Sequence, residues 1–260
     1  MNIGIYGLGE AGSLIAADLV TEGVHVIAYD PADVGSPAGV KRVTDPATLT
    51  ADSSVILALT GGQDAEFAMH QAVDSIPATT IYADLSTNSV ETKQKLAGTA
   101  RSHGFGFVDI ALMSIVPGKG LRTPMLASGE GATKLVELCS ALPVSIDVVS
   151  ARAGDASRRK LLRSIMMKGL AATIIEALNA AEKAGCEDWL WENIANEIEK
   201  ADANTIQRFI SGSAKHATRR IHEMEASCLL LQELDIEPTM TSATVKTLKH
   251  VQSHGVPNIK

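Results

Sequence analysis

Apolar and polar positions in the first 150 residues fall into two alternating periodicities. Five short runs, residues 2–7 (NIGIYG), 25–30 (HVIAYD), 54–60 (SVILALT), 79–86 (TTIYADLS) and 105–112 (FGFVDIAL), are nearly continuous in apolar character and rich in Val, Ile and Tyr. Each ends in turn-forming or small residues. Between them, Ala11–Glu22 and Gln63–Ser75 carry helical spacing. Strands recurring with intervening helices predict βαβ units and a parallel sheet, and strands without polar alternation predict a sheet covered on both faces. A hairpin-like stretch, 124–128 and 145–149, is expected to extend that sheet.

After Val149 the pattern changes. From Asp155 to about Ala184 there is no proline, Gly169 is the only glycine, and Ala, Leu, Ile and Met return every three or four residues. Gly185 is placed to terminate the run in left-handed geometry. Thirty helical residues span about 45 Å at about 1.5 Å each, a length suited to bridging two domains or forming a dimer interface. Further helices are expected near 187–199, 202–210, 214–234 and 241–253. The expected architecture is therefore α/β plus all-α: a doubly wound sheet over residues 1–150 and a helical domain over 151–260.

Composition narrows the function classes. The 260 residues are 45% apolar and 20% charged, with mean hydropathy +0.11, which excludes a disordered chain or a disulfide-stapled miniprotein. Aromatic residues make up only 3%, so a base-stacking nucleic-acid surface is not expected. Cys139, Cys186 and Cys228 form no C-x-x-C pair and no metal spacing, so reduced thiols and no metal are expected. The opening MNIGIYGLG lacks signal-peptide features, and no apolar run reaches membrane-spanning length. A soluble, cytoplasmic protein without a membrane partner is expected.

Charge is uneven. Residues 1–150 carry a net −8 and residues 151–260 a net +1. Arg152, Arg158, Arg159, Lys160, Arg163 and Lys168 crowd together against one acid, Asp155. Such a run is either a solvated helix face or an anion site for an acidic substrate or a pyrophosphate.

The strongest local signal is Gly7-Leu8-Gly9-Glu10-Ala11-Gly12, directly after an apolar strand and opening a helix. In that context the first glycine allows a tight turn, the second lets a pyrophosphate approach the backbone, and the third lets helix pack on strand. Asp30, at the end of the second strand, is placed to accept hydrogen bonds from ribose hydroxyls and to repel a 2′-phosphate, which favours NAD over NADP. A turn role before Pro31 is the alternative. Leu59-Thr60-Gly61-Gly62 and Asp84-Leu85-Ser86-Thr87-Asn88 end two further strands in small polar groups. Leu59, Thr60 and Ser86 join the cofactor candidates, since ligands of open α/β sheets collect at the carboxyl ends of strands.

GLGEAGSLIAADL, the DLST segment and the helix SRRKLLRSIMMKGLAATIIEALNAAEKAG, with HATRRIHEMEAS and EPTMTSAT downstream, resemble the β-hydroxyacid dehydrogenase superfamily. This group includes 6-phosphogluconate and hydroxyisobutyrate dehydrogenases. The chain looks most like a short branch that joins a Rossmann cofactor domain to a phosphogluconate-dehydrogenase-like helical domain. The resemblance implies a lysine general acid/base early in the long helix, and Lys160, six residues past Gly154, matches it by position. In a helix Lys160, Arg163, Ser164, Met167 and Lys168 share a face, and neighbouring cations disfavour the ammonium. The sequence also departs from the superfamily. Arg163 stands where an asparagine is usual, and Asp109-Ile110-Ala111-Leu112-Met113-Ser114 replaces the usual Ser-Gly-Gly substrate loop, leaving Met113 and Ser114 as substrate candidates. Lys119 and Arg122 are either anion-recognising or exposed loop charges.

By distance from Pro238, His222 and Glu223 fall where relatives carry a Lys-Asp pair near the substrate; with Arg219 and Arg220 they form either a carboxylate site or a structural ion-pair face. His222-Glu223 lacks the second histidine of a zinc motif, and no G-x-S-x-G elbow is present. The implied function is an NAD(P)-dependent dehydrogenase acting on a small anionic hydroxy acid or its carbonyl form, working as a homodimer through its C-terminal half. The alternatives are an imine reductase, a class whose members often lack the lysine, and a non-enzymatic NAD-sensing regulator.

Overall fold

The computed structural model describes residues 1–258. They divide into two compact units that meet within one helix, Met1–Arg163 and the chain from Ser164 onward.

The first unit is built on an eight-stranded sheet: β1 (Asn2–Tyr6), β2 (His25–Tyr29), β3 (Lys41–Arg42), β4 (Val55–Ala58), β5 (Ile81–Asp84), β6 (Gly106–Leu112), β7 (Met125–Ser128) and β8 (Ile146–Ser150). Their order across the sheet is β3-β2-β1-β4-β5-β6-β7-β8. All neighbouring pairs are parallel except β6–β7. The hairpin expected for 124–149 is not formed, although both segments do extend the sheet. β7 and β8 are parallel, and a parallel pair needs a crossover, here supplied by α5 (Ala132–Leu138).

Successive side chains of a strand point to opposite faces, so each apolar run feeds two cores. Ile3, Ile5, Val26, Ala83, Val108 and Ile110 pack beneath α1 (Glu10–Thr21), through Ile15 and Leu19, and beneath α5, through Leu135. Tyr6, Ile27, Ile56, Tyr82 and Phe107 pack on the other face, against α2 (Pro46–Ala51), α3 (Ala65–His70) and α4 (Val90–His103). The helical spacing of Gln63–Ser75 yields only α3 flanked by two 3₁₀ turns. Cys139 lies in the first core, where burial pushes its thiol up to about 11.

The second unit is all-helical. It takes most of α6 (Asp155–Ala184), then α7 (Glu187–Glu199), α8 (Ala203–Lys215), α9 (Ala217–Glu233) and α10 (Thr239–His254). Where a helix was expected from residue 214, the chain breaks at His216, which ends α8 and precedes α9. Ile221, Val245 and Leu248 form a small core between α9 and α10. Glu176 of α6 caps α10: its carboxylate accepts from the backbone N–H groups of Met240 (2.7 Å) and Thr241 (2.8 Å) and from the Thr241 hydroxyl (2.6 Å). A negative charge at a helix N-terminus also meets the positive end of the macrodipole. Among the described residues no helix is long and apolar enough to cross a membrane.

Partial burial pushes the Glu176 carboxyl up, but the Thr241 hydroxyl and the N–H groups of Met240, Thr241 and Thr239 outweigh it and hold the carboxyl below its ordinary value. A depressed carboxylate contributes stability that is present above its unfolded-state pKa and lost as pH falls through the folded one. Glu176→Gln is expected to destabilise the protein by about 1 kcal/mol at neutral pH. Thermal unfolding followed between neutrality and strong acid should show that difference shrinking once the wild-type carboxylate protonates; a difference independent of pH would contradict the cap.

Candidate active site

Strand order reverses between β1 and β4, and the crevice outside such a switch point is where open α/β sheets take ligands. The β1–α1 turn fills its floor. Gly7 has φ +101°, and a Cβ there would lie 2.6 Å from the Leu59 carbonyl oxygen. A Cβ on Gly12 would collide with the Gly7 carbonyl, so α1 lies directly against the turn. Gly9 differs: it is exposed, and a Cβ there would meet nothing within 4 Å. Gly9 is also the N-cap of α1, without a side-chain capping bond, so Gly9, Glu10 and Ala11 begin a helix whose positive end faces open space.

The turn is stitched to the end of β2. Gly7 N–H donates to the Tyr29 carbonyl (2.8 Å), and Leu8 N–H donates to Asp30 Oδ2 (2.6 Å). The other oxygen, Asp30 Oδ1, accepts from Ala32 N–H (2.8 Å). Each carboxylate oxygen retains a further lone pair. A cavity of about 400 Å³ opens beside these groups, lined among others by Tyr6, Gly9, Asp30, Thr60, Gly61 and Phe67. Burial, together with the neighbouring Tyr29 and Asp30, drives the Tyr6 hydroxyl far up, so it stays protonated; it donates to Gln71 Oε1. Thr60 Oγ1 is buried with no hydrogen-bond partner in the protein. Such an orphan is costly; Thr60 lines this cavity, while its hydroxyl oxygen is itself buried from solvent. Phe67 is 65% exposed at the rim.

A buried charge network lies along the same carboxyl edge of the sheet. Lys93 of α4 is 0% exposed, and its ammonium donates to Asp84 Oδ2 (2.8 Å) and to the carbonyls of Asp84 (3.1 Å) and Ser86 (2.8 Å). It also lies 3.3 Å from Asp109 Oδ1. The Ser86 hydroxyl donates to Asp84 Oδ2 (2.9 Å), and Asn88 ties Ser86 to the Gly62 carbonyl. Asp109 accepts from the Ser128 hydroxyl (3.1 Å) and from Ser157 in the first turn of α6, through both its N–H (2.9 Å) and its hydroxyl (2.6 Å).

Lys160 follows Ser157 by one turn. Ala153, Ala156 and Ser157 are buried, Lys160 and Ser164 are half-buried, and Arg158, Arg159, Leu161, Leu162, Arg163, Met167 and Lys168 are exposed. Lys160 thus continues the stripe of α6 that turns toward the sheet, as the spacing of three and four requires. Met113 and Ser114 leave the end of β6 half-buried, and Lys119 donates to Ser114 Oγ (2.8 Å). His222 and Glu223 lie in the second unit, both exposed, and Glu223 is paired with Arg219 on its own helix. Arg220 reaches Ser213 Oγ (2.6 Å) on α8, so Arg219 and Arg220 both find partners within the second unit. Among the described residues no cluster of His, Cys, Asp or Glu could hold a metal.

Residues 2–116 match the family described as the NAD binding domain of 6-phosphogluconate dehydrogenase, and residues 181–251 match a domain of unknown function, DUF1932. Over residues 2–116 the chain is therefore similar to the cofactor domain of 6-phosphogluconate dehydrogenase. An uncharacterised 28.5 kDa protein of Methanothermus fervidus is 30% identical over 172 residues, and the match spans just under two thirds (66%) of each chain. A conserved protein of unknown function, described as structurally similar to 3-hydroxyacid dehydrogenases, is 27% identical with TM-score 0.61; the alignment covers 99% of this chain and 100% of that one. An imine reductase from Myxococcus stipitatus in complex with NADP+ shares the fold at 15% identity and TM-score 0.83, over 98% of this chain and 96% of that one.

The matched family model is that of an NAD binding domain, and the crevice suits a dinucleotide: the open space at Gly9, the uncapped start of α1 and the Asp30 carboxylate lie at one cavity. The glycines of the turn separate by role. Gly12→Ala, which forces a methyl against backbone, is expected to cost about 1–3 kcal/mol, read as a lower Tm. Gly9→Ala should leave Tm unchanged while weakening NADH binding in a fluorescence titration. Equal Tm losses for the two variants would contradict this division.

Proposed function

We propose that this protein transfers hydride between a nicotinamide dinucleotide and a small, anionic hydroxy acid or its carbonyl form, with Lys160 as general acid/base. The observation that carries the reading is the position of Lys160, half-buried one turn past the contact that seats α6 on Asp109, in a unit whose glycine turn and Asp30 suit the dinucleotide. A bound dinucleotide supplies or accepts the hydride. Gly9, Glu10 and Ala11 would meet its pyrophosphate, Asp30 a ribose, and Thr60 and Leu59 the edge of the crevice. The Lys160 ammonium donates a proton to the carbonyl oxygen in reduction, and its amine removes the hydroxyl proton in oxidation.

An anionic substrate is supported by Lys119, which with Ser114 presents an ammonium and a hydroxyl at the end of β6, and by the exposed Arg163. The Asp30 carboxylate accepts from a ribose hydroxyl and repels a 2′-phosphate, so NAD is the favoured cofactor. A homodimer is part of the same reading. Leu162, Ile165 and Met166 of α6, Trp189 and Trp191 of α7, and Phe209 of α8 are each at least 58% exposed in the single chain. Exposed apolar side chains of this size support a partner for these helices.

Lys160→Met decides the chemistry. Screening hydroxy acids, sugar acids and their phosphates for NADH formation should give turnover by the wild type and about a 10²–10⁴-fold loss in the variant, with NADH affinity retained. Undiminished turnover would remove Lys160 from the mechanism. Titration of the wild type with both reduced cofactors should show NADH binding more tightly than NADPH, and Asp30→Ala should narrow the gap. Tighter binding of NADPH by the wild type would overturn the ribose assignment.

A further inference from the structure

We propose that Lys93 is a positioning residue for Lys160, acting through Asp109 and Ser157 at the start of α6. The inference rests on the acid/base role given to Lys160. Lys93 has no solvent exposure and its ammonium protons are taken by Asp84 and Ser86, so it is given no contact with reacting atoms. Its ammonium makes three hydrogen bonds to Asp84 and Ser86 and lies 3.3 Å from Asp109. Asp109 then uses both oxygens on Ser157: Oδ2 takes the N–H, and Oδ1 takes the hydroxyl.

Ser128, itself bonded to Asp109, takes the N–H of Ala156 (3.0 Å). The first turn of α6 is therefore fixed by two consecutive N–H bonds to groups arranged around Lys93. A helix rises about 1.5 Å per residue and turns about 100°, so fixing the direction and rotation at Ser157 fixes where the side chain three residues later begins.

Charge explains why a lysine is needed. Without it, two buried carboxylates face each other across neighbouring strands, Asp84 and Asp109 being register partners. The helix start offers only a partial positive charge, so the two carboxylates would repel each other, and Asp109 would turn away and release Ser157. A lysine serving only to stabilise the sheet would not need to address the carboxylate that holds the helix.

The test uses the full chain labelled with ¹³Cε-lysine, the Lys160 signal being assigned by its loss in Lys160→Arg. Lys93→Met and, separately, Ser157→Ala are titrated by NMR, with NADH affinity followed by fluorescence. The expected result is a displaced Lys160 signal whose titration midpoint moves by about half a pH unit or more. Exposed Lys95 should be unmoved and NADH affinity within about twofold, as expected when only the environment of one amine changes. Ser157→Ala keeps the triad intact and decides the matter if Lys93→Met does not fold. A Lys160 signal unmoved in folded Ser157→Ala overturns the proposal while leaving the dehydrogenase reading intact; full turnover by Lys160→Met overturns that reading instead.

Discussion

Two carboxylates and one ammonium, all withdrawn from water, hold the first unit together at the edge where chemistry is expected. Removing such ions from solvent costs several kcal/mol each, and the cost is offset only where every lone pair and proton finds a partner. Here the accounting closes through neighbours: Lys93 donates to Asp84 and Ser86, Ser86 donates to Asp84, and Ser128 and Ser157 donate to Asp109. The network draws β5, β6, β7, α4 and the first turn of α6 into one rigid body. The first turn of α6 is bonded to the sheet and belongs to the first unit, which runs to Arg163.

Much of the architecture was legible in the sequence because it depends on local periodicity. The five apolar runs of the first half are β1, β2, β4, β5 and β6, and the long helix spans Asp155–Ala184 as its uninterrupted spacing required. What escaped depends on tertiary context. β3 is two residues long and exists only by pairing with β2. The geometry of 124–149 could not be resolved from two short apolar runs, since parallel and antiparallel strands share one pattern and the α5 crossover is only seven residues long.

The candidate site was legible unevenly. The glycine turn announced itself by position after β1, and the structure brings Asp30, Leu59 and Thr60 to the same crevice. Lys93 was missed. The signal for it lay in the sequence: it occupies the apolar stripe it forms with Leu96 and Ala100, a place where an exposed lysine does not belong. Asp84 and Asp109 are likewise single charges in apolar strands. Three isolated polar intrusions in separate elements suggest a buried cluster only when the fold shows them converging. His222 and Glu223, singled out by their distance from Pro238, lie exposed on α9, where Glu223 pairs with Arg219.

The Glu176 clamp has its own consequence. Because the amides of Met240 and Thr241 are bonded to a side chain from the middle of α6, not to their own helix, their protection from solvent deuterium reports the integrity of a segment more than sixty residues upstream. Local fraying of α6 around Glu176 would release those two protons ahead of the rest of α10, which makes them native sentinels for that stretch of α6.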